Sequence, residues 1–342
     1  MSHYHDHEAK TSVTLANDLH LNPAEETERI AAALRQQLGE ALNRRGLVVG
    51  MSGGIDSSVC AALAVRAVGP GHVFGLLMPE ADSDPESLGI AGRWAEALGI
   101  PYAIEDITQT LATVGCYRRR NEAIRRVVPE FQDDWRFKVV LAGGRLESDR
   151  LNVSYLAVEA PGGEVGQVRL PPAEYREIVA ATNFKQRVRT MLEYYHADRL
   201  HYAVVGTPNR LEYDQGFFVK GGDGLADVKP IAHLYKTQVY ELAEFLGVPE
   251  EIRSRTPTTD TYSLPQTQEE FYFALPTATL DLVLFAHTLG LDPAAVGAEL
   301  GRTPEEAARA LRDIDQKRAA TRYLHLPPLL VEPPPVLERE PA

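Results

Sequence analysis

From residue 23 onward the chain alternates amphipathic stretches with short apolar runs. In PAEETERIAAALRQQLGEALNRR, residues 23–45, Ile30, Leu34, Leu38 and Leu42 recur every fourth position and Gly46 follows. That spacing predicts an amphipathic helix with acidic residues in its first turn. GLVVGM (46–51) reads as a short buried strand and DSSVCAALAVRAV as a helix stopping at Gly69. HVFGLLMP (72–79) reads as a second strand, and DPESLGIAGRWAEALG as a helix capped by Ser83 or Asp84. IPYAIEDI (100–107) is a third strand, and HYAVVGT (201–207) a later one after a long helix of about 171–197. Strands alternating with helices at this spacing predict α/β architecture, a doubly wound parallel sheet.

One stretch breaks the pattern. FKVVLAG and RLNVSYLAVEAPGGEVGQVRLP alternate like antiparallel strands, with Pro161, Gly162 and Gly163 as a turn. Residues 117–170 are therefore expected to form an inserted β-hairpin subdomain with a helical lead-in. From Ala232 the pattern is helical, with expected helices over 234–247, 266–275, 278–289, 292–300 and 303–321. The expected division is a flexible N-terminus over 1–21, one body over 22–325 and a proline-rich tail over 326–342.

Composition narrows the class. Thirty-five Lys and Arg against 48 Asp and Glu give a net charge of −13. Such a surface repels phosphodiester backbones, so no nucleic-acid partner is expected. Two cysteines, Cys60 and Cys116, cannot build a disulfide framework, which suits a reducing cytoplasm. No apolar run approaches the roughly 20 residues that span a bilayer, so no membrane partner is expected. MSHYHDHEAK lacks a signal-peptide core. Its His3, His5 and His7 are read as a disordered tip rather than a metal site.

The chemistry begins at MSGGIDSSV. A parallel strand turning sharply into a helix offers free N–H groups and a positive dipole end. Gly53 and Gly54 let that backbone approach an anion, and Ser52, Ser57 and Ser58 add hydroxyls. The lysine and spacing of a Walker A loop are missing, as is the Gly-x-Gly-x-x-Gly of a dinucleotide fold. Asp56 would repel phosphate unless it holds a divalent cation, so the loop reads as a cradle for Mg-pyrophosphate. Ser-Gly-Gly-x-Asp-Ser resembles the pyrophosphate loop of the N-type ATP pyrophosphatases, which adenylate a substrate and release pyrophosphate.

Three further stretches point to a substrate. In ATNFKQRVRTM, Asn183 and Arg187 lie one helical turn apart on one face, while Lys185 and Arg189 are expected to point elsewhere. GTPNRLEYDQGFFVKGGDGLADVKPIAHLYKTQ gathers Glu212, Lys220, Asp223, Asp227 and Lys236 around turns beyond a buried strand, where open α/β sheets bind ligands. RTPTTDTYSLPQTQ is a polar loop with Thr258 and Asp260. Together they resemble the NAD synthetase family, over about residues 22–78 and 180–265, under half the chain. The Gly206–Ile231 segment is the most specific part.

The resemblance implies an adenine nucleotide alpha hydrolase-like, Rossmann-like fold and ATP-dependent amide synthesis. Residue by residue, it gives Asp56 and Glu212 to Mg²⁺, and Ser52, Gly53, Gly54, Ser57 and Ser58 to pyrophosphate. Thr207, Lys236 and Thr258 match positions that contact ATP, with Asp56 and Lys236 the catalytic pair. Asn183, Arg187, Lys220, Asp223 and Asp227 match positions that hold deamido-NAD across a homodimer interface. The implied reaction adenylates the nicotinate carboxylate and releases pyrophosphate; ammonia then displaces AMP.

No side-chain nucleophile is needed, and Cys60 and Cys116 are both read as core. Ammonia is expected to come free or from a separate glutaminase. The insert and the PQTQEEFYF stretch depart from the family pattern, with Glu269 and Glu270 where an acidic pair is expected. Arg118, Arg119, Arg120, Arg125 and Arg126 are read as a salt-bridged or solvated face, with a phosphate-clamping lid as the alternative. The departures keep two other readings open: amidation of another carboxylate, such as a sugar uronic acid, and a non-catalytic nucleotide-binding regulatory subunit.

Overall fold

The computed structural model describes residues 15–142, 153–256, 261–267, 272 and 275–332. A short helix, α1 (Leu15–Asp18), precedes α2 (Pro23–Gln36). Asn22 caps α2, its side chain accepting from the Ala24 and Glu25 N–H groups, and Pro23 fills the first turn. The expectation that 1–21 is free fails for its described part. Leu15 and Leu19 are buried, and Leu15 N–H donates to Glu299 Oε1 at 2.7 Å.

Three βα units follow: β1 (Leu47–Gly50) and α3 (Ile55–Val68), β2 (Val73–Leu77) and α4 (Pro85–Ala97), then β3 (Tyr102–Ile104) with α5 (Thr108–Thr113) and α6 (Cys116–Arg125). After an antiparallel interlude, β4 (Arg136–Ala142), β5 (Val153–Glu159) and β6 (Val165–Arg169), the long α7 (Pro172–Leu200) leads to β7 (Ala203–Val205). The main sheet has the order β3-β2-β1-β7, with every pair parallel.

Period-two alternation splits β1 between the two faces. Leu47 and Val49 join Ile30, Val59, Leu63 and Val239 in one core, whereas Val48 packs with Ala197 and Val204 beneath α7. Leu76 on β2 faces Ile107, Leu111, Cys116 and Val188. Helices thus cover both faces, which makes the sheet doubly wound.

The antiparallel strands form a separate sheet, β4-β5-β6, turning at Gly162 (φ 69°). Phe137, Val139, Leu156 and Val158 from this sheet pack on Ile124 of α6 and Ile178 of α7. The remaining elements are α8 (Arg210–Gln215), α9 (Lys236–Phe245), α10 (Glu250–Arg253), α11 (Thr277–Thr288), α12 (Pro293–Leu300) and α13 (Pro304–His325). The expected helix over 266–275 is not formed at its described start. Leu264 N–H donates to Phe137 O at 3.0 Å and the Gln266 amide to Val139 O, so this segment runs along β4 instead. One backbone N–H just before the expected start and the Gln266 side-chain amide are thus spent on the neighbouring strand.

Candidate active site

Gly50, Leu77, Ile104 and Val205 end their strands on one edge of the parallel sheet, where the loops open a cavity of about 550 Å³. Its floor is the turn from β1 into α3. Gly53 sits at φ 78°, and a Cβ there would lie 2.8 Å from the Ser87 carbonyl oxygen, so both backbone and space demand glycine. Gly54 N–H donates to Ser52 Oγ at 3.2 Å, and the Ser52 and Ser57 hydroxyls lie 3.1 Å apart. The Ser57 and Ser58 hydroxyls donate to Gly54 O at 3.0 and 2.8 Å. The N-terminal turn of α3, its dipole end and the Ser52 and Ser57 hydroxyls face the cavity, whereas Ser58, 1% exposed and turned to Gly54 O, does not line it as the sequence led one to expect.

Asp56 stands in the first turn of α3 and Lys236 begins α9, which packs against α3. The Lys236 ammonium, 2% exposed, is paired with Asp56 Oδ2. Burial alone would lower its pKa, but the charges of Asp56 and Glu212 outweigh that and raise it. Glu212 arrives on α8. Asn209 caps that helix through a capping box, Glu212 N–H donating to Asn209 Oδ1 and Asn209 N–H to Glu212 Oε2, both at 3.1 Å. The Asn209 amide also donates to Asp56 Oδ1 at 3.2 Å.

Asp56 and Glu212 supply hard carboxylate oxygens at the mouth of a phosphate loop. Mg²⁺ uses one or two carboxylates and completes its shell with water and substrate phosphates, so this donor set fits it. Among the described residues no group of three or more His, Cys, Asp or Glu forms a closed metal cage.

The opposite wall is α7 with the turn at 217–224. Asn183, Arg187 and Thr207 line the cavity, as do Lys220 and Asp223. Arg187 donates to Lys220 O at 3.3 Å, and Lys220 Nζ donates to Tyr323 O at 2.7 Å and Leu326 O at 3.0 Å. Asp223 Oδ1 accepts the Val219 N–H at 2.7 Å. Burial pushes its carboxyl up to about 6; burial, then the neighbouring Asp223 charge, pushes Glu193 up to about 7.

One cleft thus joins a glycine–serine loop at a helix N-terminus to a basic and amide-bearing wall. A family model described as NAD synthase matches residues 26–129 and 164–323. The chain belongs to the NAD synthase family. It is 58% identical over 318 residues to the NH(3)-dependent NAD(+) synthetase of Rhizobium meliloti, covering 93% of this chain and 95% of that one. The protein of the same name in Methanocaldococcus jannaschii is 32% identical over 296 residues, covering 86% and 93%. Two solved structures share the fold. NMN synthetase from Francisella tularensis matches with TM-score 0.61 at 23% identity, covering 91% of this chain and 99% of that one. NH3-dependent NAD synthetase from Campylobacter jejuni, in complex with nitrate, matches with TM-score 0.59 at 21% identity, covering 91% and 100%. The NAD synthase model leaves 130–163 unmatched, which are β4, β5 and their flanks.

Two further placements differ from the sequence expectations. Asp227 does not line the cavity: its carboxylate accepts Val204 N–H at 2.8 Å and the Tyr194 hydroxyl at 3.3 Å, beside β7. Lys185 and Arg189 do not point away. Both line the cavity, because the cleft wraps around α7. Lys185 is buried against Glu80, Asp82 and the Thr261 carbonyl. Thr258, Asp260, Glu269 and Glu270 lie outside the described residues.

The arginine cluster is salt-bridged for four of its members. Arg118 pairs with Glu122, Arg120 with Asp82, Arg125 with Asp133, and Arg126 with Glu174 and Glu177. None of these four lines the cavity. Both cysteines are buried core; burial raises the Cys60 thiol far above its usual range and Cys116 to about 11.

The sequence reading missed Asn209, Glu193 and Asp281. Asp281 is fully buried and accepts Thr237 N–H at 2.8 Å, tying down the first turn of the helix that carries Lys236. Asn209 had a local signal, Asn three residues before Glu. Glu193 and Asp281 had none.

Proposed function

We propose that this chain makes NAD from deamido-NAD, ATP and ammonia. What carries the reading is one cavity that holds the pyrophosphate loop with Asp56, Glu212 and Lys236 at its floor and Asn183, Arg187 and Lys220 on its wall. The names of relatives 55–58% identical over most of both chains support it.

In this reading a nicotinate carboxylate oxygen attacks the α-phosphorus of ATP, and the bond to the β-phosphate breaks to release pyrophosphate. The nitrogen of ammonia then attacks the acyl carbon, loses a proton, and AMP departs. The loop N–H groups and the Ser52 and Ser57 hydroxyls, which line the cavity, receive the pyrophosphate. Lys236 offsets phosphate charge once it leaves Asp56. Asn183 and Arg187 hold the substrate with Lys220, and the Asp223 and Glu193 carboxyls supply proton acceptors. Asp56 and Glu212 would hold Mg²⁺, which when bound neutralises phosphate charge. Catalysis here is positioning and charge compensation. Ammonia is taken free or from a separate glutaminase. The working unit is a homodimer, and the buried, unbridged thiols suit the cytoplasm.

The test is pyrophosphate release with ATP, Mg²⁺ and ammonium, offering deamido-NAD, nicotinate mononucleotide and a panel of sugar acids. Turnover of deamido-NAD with NAD as product is expected, and Asp56→Asn should abolish it. Preference for another carboxylate overturns the substrate; full activity of Asp56→Asn removes Asp56 from its role. Light scattering at assay concentration decides the dimer.

A further inference from the structure

We propose that Asn209 is a positioning residue that locks Asp56 and Glu212 into one unit, keeping Asp56 aimed when Lys236 leaves it for a divalent cation. The inference rests on the reading that these two carboxylates hold that cation.

Asn209 is 1% exposed, and three of its polar groups are committed. Its side-chain oxygen accepts Glu212 N–H, its main-chain N–H donates to Glu212 Oε2, and its amide nitrogen donates to Asp56 Oδ1. Asp56 and Asn209 are 153 positions apart, on different helices. One side chain therefore fixes the spacing between α3 and α8 at the point where their carboxylates converge.

The need for this appears once the Asp56 pairing is considered. Oδ2 is taken by Lys236 and Oδ1 by Asn209. An ammonium and a divalent cation repel each other at one carboxylate, so loading the site frees Lys236 to meet phosphate. Asp56 then loses its strongest tether at the moment its direction matters most, because Mg²⁺ tolerates little departure from octahedral geometry. The Asn209 amide still holds Oδ1, leaving Oδ2 for the cation. Partners of this kind typically govern metal affinity by 10–100-fold.

Asparagine also caps α8, so a plain truncation would confuse two roles. Serine caps a helix about as well but carries no amide donor to reach Asp56. Asn209→Ser separates them, and Asn209→Thr does the same on a bulkier cap if the serine variant does not fold. The probe is Mn²⁺ with α,β-methylene-ATP, the bound ion counted by electron paramagnetic resonance on the full chain, with the thermal midpoint measured alongside. The serine variant is expected to weaken Mn²⁺ binding by about 10–100-fold while its midpoint stays close to wild type. Asp56→Asn serves as the reference. If it loses Mn²⁺ while Asn209→Ser and Asn209→Thr bind as wild type does, the Asn209 role is overturned and the metal reading stands. If Asp56→Asn itself binds Mn²⁺ normally, the metal reading falls first.

Discussion

Lys185→Met is the sharpest test of how the wall of this site is held. The ammonium of Lys185 is 1% exposed and donates to Glu80 Oε1 at 2.8 Å, Asp82 Oδ2 at 2.7 Å and Thr261 O at 2.8 Å. Among the described residues, Glu80, whose side chain is 0% exposed, would keep only the Tyr117 hydroxyl, and Asp82 only Arg120. Removing one partner of a buried pair costs about 3–5 kcal/mol, because the other charge stays buried and uncompensated. At about 2.1 cal/mol/K of unfolding entropy per residue, a chain of 342 residues loses about 6 °C of melting temperature for about 4 kcal/mol.

Adding Glu80→Gln should restore part of the loss, since no orphan carboxylate then remains. Differential scanning calorimetry at two pH values adds a sign. Burial raises the Asp82 carboxyl, but Lys185 and Arg120 outweigh it and hold it below the usual carboxylate range. Its stabilisation is present above the unfolded pKa and lost as pH falls through the folded one. The deficit of the variant should therefore be larger at pH 8 than below pH 3.8, the ordinary value for an aspartate. A variant within 1 kcal/mol of wild type at pH 8, or a deficit that grows on acidification, would refute the reasoning.

Other predictions follow from the same geometry. Glu193→Gln should stabilise the protein at pH 8 but not at pH 4, because the folded pKa lies above the unfolded one and stability is lost as pH rises through it. From 4.5 to about 7, the bound is about 3 kcal/mol, and a stability difference independent of pH would exclude it. Gly53→Ala places a side chain at φ 78° against the Ser87 carbonyl, at a cost of about 1–3 kcal/mol. Steady-state assays should show kcat/KM for ATP falling at least tenfold, and an unchanged value would mean the loop need not keep this shape. Lys220→Met should raise KM for deamido-NAD with kcat less affected; an unchanged KM would place Lys220 outside the substrate site and leave it a tether for α13.

The fold was legible wherever a local pattern determined a local structure. LVVG is a buried strand because both its faces are covered, and Asp84 caps α4 through its own Glu86 N–H. The segment at 262–267 was not legible, because its conformation is decided by β4, more than 120 positions earlier. Docking of the N-terminus was hidden for the same reason: the acceptor for Leu15 N–H is Glu299.

The candidate site divides along that line too. The glycine loop declares itself because one turn holds nearly all its chemistry, and Asp56 stands out as a charge of the wrong sign for phosphate. The α7 wall misled the reading of Lys185 and Arg189 because a helix wheel assumes a flat neighbour, whereas the cavity curves around the helix and long side chains reach it from its flanks. Asp227 keeps its motif position, and within one chain its carboxylate accepts Val204 N–H and the Tyr194 hydroxyl. Asn209 shows both halves at once. Its bond to Glu212 is readable three positions away as a capping box, but its bond to Asp56 exists only because α3 and α8 meet at the sheet edge. A residue whose local role already accounts for its identity draws no notice from sequence, so the second role has to be read from the assembled site.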